Sequence, residues 1–206
     1  DAIQSDTAVV YFSATGMTRG VAKTLAGCLG IKRSAMEPKK IYTDKDLDYN
    51  DDSCRANQEQ NDPDARPEIA AAVDSMEDYD VVLLGFPIWW GQEPRILDTF
   101  VESYDWSGKT VAAFCTSGGS GIRASQDNLA ALTGDAQWLE GTSVKMVRVE
   151  WRTTSSPIPM KLTTMVQNCA RVSFWPGLKR LPPVPSATPI RRRMSALTAV
   201  AGSVTS

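Results

Sequence analysis

Residues 80–91 read Asp-Val-Val-Leu-Leu-Gly-Phe-Pro-Ile-Trp-Trp-Gly. The first seven form an almost unbroken apolar run that ends at Pro87. Such a run is of strand length, and its lack of polar alternation predicts a strand covered on both faces, as in a parallel sheet. Outward from it, residues 7–12 (Thr-Ala-Val-Val-Tyr-Phe) and 110–115 (Thr-Val-Ala-Ala-Phe-Cys) have the same character. Residues 31–36 predict a weaker strand and 143–149 a fifth. Between the strands the apolar residues change to helical spacing: Val21, Ala22, Leu25, Ala26 and Leu29 within 17–29, and Ile96, Leu97, Phe100 and Val101 within 93–104. Residues 122–132 predict another helix and 68–76 a short one. Residues 43–67 are rich in Asp, Asn and Gln and contain Pro63 and Pro67, which predicts a long loop. The alternation predicts an α/β fold, a five-stranded parallel sheet between two layers of helices.

The chain of 206 residues, 42% apolar, is long enough for one such domain with a real core. No apolar run approaches the roughly 20 residues needed to cross a bilayer, so a soluble protein without a membrane span is expected. The sequence contains no histidine, which excludes Ser-His-Asp triads, Cys-His dyads and imidazole-bound metals. Cys28, Cys54, Cys115 and Cys169 have no CxxC spacing, and ordinary thiols are expected rather than a zinc site or a disulfide framework. The first residue is Asp1 rather than Met, which suggests a processed or trimmed chain and leaves the compartment open, cytoplasmic or exported.

The net charge of −2 joins two unlike parts. Residues 1–150 hold 14 basic residues against all 24 acidic ones, giving −10, while 151–206 hold 8 basic residues and no acid. Seven of the 12 prolines also lie beyond residue 150. The expectation is a domain over 1–149 and a poorly folding basic tail over 150–206. Arg191, Arg192 and Arg193 are thin grounds for a nucleic-acid or membrane arm, and no nucleic-acid partner is expected. An aberrant terminus would also explain the sudden loss of every carboxylate.

In a parallel α/β sheet, ligands sit beyond the C-terminal strand ends, at the switch point in strand order. Three unusual segments fall there. After the first strand come Ser13, Ala14, Thr15, Gly16, Met17 and Thr18, three hydroxyls and a glycine leading into a helix start. Free N–H groups and the positive end of a helix dipole meet at such a place, which suits a phosphate, although a plain helix cap uses the same residues. After the third strand come Pro87, Ile88, Trp89, Trp90 and Gly91. Adjacent tryptophans cannot easily share one core environment, so one could offer a flat face to a conjugated ring. After the fourth come Thr116, Ser117, Gly118, Gly119, Ser120 and Gly121, whose glycines allow close backbone approach to a ligand. A ligand with a phosphate at one end and an aromatic ring at the other fits the three together, and FMN is such a ligand. Gly108-Lys109-Thr110 looks like the end of a P-loop, but it precedes a strand and position 103 is Ser, so it is set aside.

At these residues the sequence resembles the flavodoxin family, in its bacterial branch with YFSATG, PIWWG and FCTSGGSG motifs. Here they are Tyr11 to Gly16, Pro87 to Gly91 and Phe114 to Gly121. The resemblance extends over about residues 7–144 and takes in Tyr49, Arg55, Asp62, Arg66 and Pro67. It implies strand order 2-1-3-4-5 and an FMN-binding, low-potential electron carrier, monomeric, serving a redox partner protein. By the same resemblance the phosphate lies on residues 13–18, and the ring lies between the 89–90 and 116–121 loops. Trp90 then stacks on the ring, and the Gly91 peptide turns a carbonyl toward it. The glycine loop has no Tyr, so no second aromatic plate is expected there. The competing activity is an NAD(P)H-dependent flavin or quinone reductase, for which Arg55 and Arg66 could hold an anion; solvated loop charge is the plainer expectation. A related interaction domain that has lost FMN is the third alternative. Thiol chemistry at Cys115 and cation binding by Asp51-Asp52 or Asp62/Asp64 are not expected.

Overall fold

The computed structural model describes residues 6–71 and 73–145. The basic tail, Cys169 and the last residues of the expected fifth strand lie outside this range. Five strands, β1 (Thr7–Tyr11), β2 (Lys32–Ala35), β3 (Val81–Pro87), β4 (Thr110–Ser117) and β5 (Gln137–Lys145), form one parallel sheet in the order β2-β1-β3-β4-β5. Among the described residues four α-helices accompany them: α1 (Met17–Leu29), α2 (Arg55–Asn61), α3 (Ile96–Glu102) and α4 (Arg123–Leu132).

The period-two geometry of a strand divides the apolar runs between two cores. Val10, Leu84 and Ala113 face one cluster, joined by Ile96, Leu97, Phe100 and Val101 of α3. Val9, Leu83 and Ala112 face the other, joined by Ala22, Leu25 and Ala26 of α1. Each large side chain removed from water contributes roughly 1.5–3 kcal/mol, so strands buried on both faces hold the sheet together best at its centre. The register aligns Tyr11 with Gly85 and Gly85 with Phe114. The segments following β1, β3 and β4 therefore leave the sheet side by side, and the order reverses between β1 and β3. That is the switch point at which a cleft opens.

Four stretches differ from expectation. Residues 43–67 are not one loop: they contain a 3₁₀ turn, Lys45–Leu47, and the helix α2. The expected helix over 68–76 is absent. Its first part is extended, with Lys39 N donating to Glu68 O and Ala70 N to Glu37 O, and a 3₁₀ turn follows at Met76–Asp78. The helix expected over 93–104 is confined to Ile96–Glu102, because Pro94 and Arg95 form its entry turn. Strand β5 begins at Gln137, six residues before the expected start, and slips register opposite Ala112 and Phe114.

Candidate functional site at the switch point

A cleft of about 160 Å³ lies at the C-terminal strand ends. Ser13, Ala14, Thr15, Met17 and Thr18 line it from the β1–α1 loop, Pro87, Ile88 and Trp89 from the end of β3, and Thr116, Ser117 and Gly118 from the end of β4. Tyr49 completes the lining. Typical ligand pockets enclose ~300–1,000 Å³. This cleft can enclose only one end of a large ligand, and the remainder would lie along its open rim.

The β1–α1 loop is built to present donors. Gly16 occupies the N-cap of α1 with φ 86°, a left-handed conformation that glycine adopts without penalty, and no side chain caps the helix. The positive end of the α1 dipole therefore faces the loop without a capping oxygen. Ser13 Oγ is buried and has no hydrogen-bond partner among the described residues. Thr15 is exposed, and Met17 is 48% exposed at the rim. Thr18 is buried, and its hydroxyl lies 2.8 Å from that of Thr116, which ties the start of α1 to the end of β4. Thr18 thus has a structural bond that sequence reasoning did not anticipate. A hydroxyl has one donor and two acceptor sites, so this bond leaves it free to make further hydrogen bonds.

The two tryptophans separate as their adjacency required. Trp89 is buried and packs edge-on against Phe12 and Tyr42, with centroids 5.8 and 5.3 Å away. Trp90 is 50% exposed. Trp90 and Gly91 have φ of 47° and 85°, and Trp89 and Gln92 exchange both backbone hydrogen bonds, N to O at 2.8 and 3.0 Å. Two consecutive positive φ values within such an exchange are the pattern of a type I′ turn. A non-glycine residue held there carries strain of about 1–3 kcal/mol, which the surrounding bonds must offset. The turn holds the Trp90 ring out at the rim.

Sequence reasoning missed Tyr49 as a site residue. It stands 49% exposed, with its ring edge-on to Trp90 at 4.6 Å. The aromatic surface that the glycine loop lacks is supplied by the 43–54 segment instead. The family resemblance takes in Tyr49 without giving it a role; only the fold carries it to the cleft. In the glycine loop, Ser117 Oγ accepts from Gly119 N at 3.1 Å. A Cβ placed on Gly118, Gly119 or Gly121 would meet nothing within 4 Å, so open space lies over all three. Gly118 lines the cleft, while Gly16, Trp90, Gly91, Gly119 and Gly121 stand around it without lining it.

Other candidates lie elsewhere. Arg55 is bound by Glu59 at 2.6 Å and by the Lys40 carbonyl at 2.7 Å, and it stacks on the Tyr42 ring 4.0 Å away. Arg66 forms a two-pronged pair with Glu102, 2.8 Å on each arm. Arg55 is half-buried on a helix rather than solvated loop charge, Arg66 is exposed in a loop as expected, and neither lines the cleft. Lys109 buries its ammonium on the carbonyls of Met76 and Tyr79, at 3.0 and 2.6 Å, which explains a lysine before β4 without any phosphate. Burial pushes the Cys115 thiol up, away from the thiolate that nucleophilic chemistry would need. Among the described residues no group of His, Cys, Asp and Glu could hold a metal ion, and no helix is long and apolar enough to cross a membrane.

A parallel sheet of order 2-1-3-4-5 with an uncapped helix start and an aromatic rim at its switch point defines a doubly wound α/β protein with an anion-ready cleft. The family model for flavodoxin matches residues 6–154, and the chain belongs to the flavodoxin family. A solved protein of Bacteroides eggerthii, assigned as a flavoprotein, is 41% identical over 70% of this chain and 91% of its own, with TM-score 0.66. One of Bacteroides uniformis, assigned likewise, is 39% identical over 69% and 91%, also at 0.66. A Lactobacillus acidophilus flavoprotein, solved in complex with FMN, shares the fold at 22% identity over 68% and 92%, with TM-score 0.54. No curated protein matches the chain.

Proposed function

We propose that this chain binds FMN in the switch-point cleft and passes electrons, as a low-potential carrier, between partner proteins. The observation that carries the reading is Ser13 Oγ, buried and unpartnered in a loop that ends at the uncapped start of α1. A buried hydroxyl without a partner is costly, and a phosphate oxygen would satisfy it together with the free N–H groups beside it. The residues present fit the rest of the group. Tyr49 and Trp90 give aromatic surface at the other end of the cleft, and open space lies over the glycine loop.

FMN, when bound, supplies the one-electron chemistry. The chain's own residues bind, orient and tune. The β1–α1 loop would hold the phosphate, and the Trp90 turn and the glycine loop would flank the ring. Gly91 allows the peptide beside the ring to rotate without a Cβ penalty. The charge of −10 over residues 1–150 resists further negative charge at the site, which lowers the potential, and it attracts basic partner surfaces. The placement of Arg55 and Arg66 supports a carrier over a nicotinamide-dependent reductase, since neither lines the cleft and each already pairs with a glutamate. The 1–149 domain is taken as the functional unit, acting as a monomer.

The test is to purify the protein and record its visible spectrum. Absorbance near ~450 nm that bleaches on reduction, with about one FMN released per chain, is expected. A colourless protein that ignores added FMN would refute the cofactor. Rapid reduction by NAD(P)H without a separate reductase would refute the carrier role.

A further inference from the structure

Glu93 lies two residues beyond Gly91, is fully buried and does not line the cleft. Its Oε1 accepts a hydrogen bond from Asn128 Nδ2, while Oε2 has no donor. Every element packed around it can be searched for a neutralising charge. Its own segment and α3 provide Arg95 and Asp98, and the loop after α2 provides Arg66. Both arginines are engaged with Asp98, Arg95 at 3.3 Å and Arg66 at 3.9 Å. From α2, Gln60 Nε2 donates to the Glu93 carbonyl at 3.0 Å. From α4 come only neutral groups: Asn128, which also reaches Asp98 Oδ1 at 3.4 Å, and the buried Ser125 hydroxyl, which with Asn128 holds the Glu93 carboxyl down against its burial. Among the described residues no cation pairs with Glu93.

A buried carboxylate with one bare oxygen and a second carboxylate as neighbour is unfavourable; a carboxylic acid at the same place is not. With a proton on Oε2, Glu93 can donate to Asp98, whose carboxyl is raised by burial while Arg95, Arg66 and the Glu93 bond pull it back toward the charged form. Burial first, and then the Asp98 charge, pushes the Glu93 carboxyl up to about 7.

We propose that Glu93 is a positioning residue, held as a neutral acid that shares its proton with Asp98 and thereby fixes the Trp89–Gly91 turn against the glycine loop. The link is direct in the fold. Glu93 continues the aromatic turn, α4 begins immediately after the glycine loop, and Asn128 of α4 is the group that grips Glu93. Through Gln60 the same point is tied to α2, which directly follows the segment that carries Tyr49. When Glu93 ionises, its site offers no cation and only neutral donors such as the Asn128 amide, so the packing between α4 and the aromatic turn must open to admit water. The two loops then lose their fixed separation, and grip on a ring between them weakens.

The consequence for ligand affinity rests on the FMN reading; the protonation does not. In the experiment, the flavin-free full chain is titrated with FMN from pH 5.5 to 8.5, for the natural protein and for Glu93→Gln. Gln has the shape of the neutral acid, can donate to Asp98 and cannot ionise. The natural protein should hold FMN with constant affinity below neutrality and lose up to about tenfold per pH unit above it, the limit for one proton. Glu93→Gln should stay within twofold throughout, near the low-pH value. In parallel, infrared difference spectra of the ligand-free chains should show a carboxylic-acid C=O band at pH 6 that disappears by pH 8.5 and is absent from Glu93→Gln. Parallel affinity profiles for the two proteins would overturn the proposal, as would the lack of that band. If neither chain binds FMN at any pH, the cofactor reading falls, and the infrared band with Trp90 emission against pH still decides the role of Glu93. A pH-dependent band with unchanged Trp90 emission would refute the positioning role.

Discussion

Gly85 is the residue where the sheet has no room for a methyl group. Its register partner on β4 is Phe114, and a Cβ at Gly85 would lie 2.2, 2.5 and 2.8 Å from three atoms of that ring. Carbon atoms prefer separations of about 3.5–4.0 Å, so the ring would have to retreat by more than 1 Å. It cannot retreat freely, because Phe114 is 1% exposed within the cluster that includes Tyr11, Leu25 and Leu83. Overpacking in a rigid core costs about 1–3 kcal/mol, and a shortfall this large places Gly85→Ala near 3. Phe114→Ala, which leaves a cavity, should cost about 3–5 kcal/mol. In the double variant the clash no longer exists, so its stability should match that of Phe114→Ala alone, a coupling of about 2–3 kcal/mol. Urea unfolding of the four proteins, followed by tryptophan fluorescence and circular dichroism, measures this cycle. A Gly85→Ala protein within 0.5 kcal/mol of the natural one, or additive losses in the double variant, would refute the reasoning. The result also concerns the cleft, since Gly85 stands two residues before Pro87 and a displaced β3 would carry the aromatic turn with it.

Ser13→Ala and Thr15→Ala should each weaken FMN by about 10- to 100-fold, the value of a hydrogen bond to a charged group, and riboflavin by less than twofold; equal losses measured by fluorescence titration would exclude a phosphate on this loop. Trp90→Ala should weaken FMN and riboflavin alike, by about 2- to 12-fold from the loss of one aromatic contact, and a loss confined to FMN would place the ring elsewhere. Lys109→Met strands the carbonyls of Met76 and Tyr79 and should cost about 2–3 kcal/mol in urea unfolding without changing FMN affinity. Glu93, raised from its ordinary 4.5 to about 7, binds its proton more tightly in the native state than in the unfolded chain. Its contribution to stability is therefore complete below about pH 4.5 and is lost as pH rises through 7, about 3 kcal/mol in all. Glu93→Gln should lack that decline, and stability curves that run parallel from pH 5 to 8 would contradict it.

The central strands were legible because nothing but a doubly covered strand explains runs such as Val81 to Leu84, and α1 because its apolar spacing is regular. Helix α2 was not legible. Its sequence, Arg-Ala-Asn-Gln-Glu-Gln-Asn, has no apolar stripe, and tertiary bonds hold it: Cys54 Sγ accepts from Asn57 N at 3.4 Å, Asn57 Nδ2 donates to Asp51 O at 2.7 Å, and Gln60 reaches Glu93. The false helix at 68–76 failed for the converse reason, since backbone pairing with residues 37–39 holds Glu68 to Ala70 extended. The early start of β5 was hidden by Gly141, where the strand slips register. There Gln126 Oε1 accepts from Gly141 N at 2.8 Å, and its Nε2 donates to Leu139 O at 3.1 Å. At the cleft, the three loops were readable because each carries unusual residues at a topologically fixed place. Tyr49 and Glu93 were not, because a lone tyrosine in a polar segment and a glutamate after a turn acquire meaning only from what the fold sets beside them.

On the proposed reading, the bare start of α1 would make the ligand part of the secondary structure. Most helices carry their own stopper at the first turn; this one, with a left-handed glycine there and no side chain to close it, leaves the closure to whatever anion arrives. Filling the cleft and ordering the first turn of α1 are then one event, with one free energy. Amide exchange at Met17, Thr18 and Arg19 would register loading as faithfully as any colour change, and a chain stripped of its anion would begin to unfold from this turn.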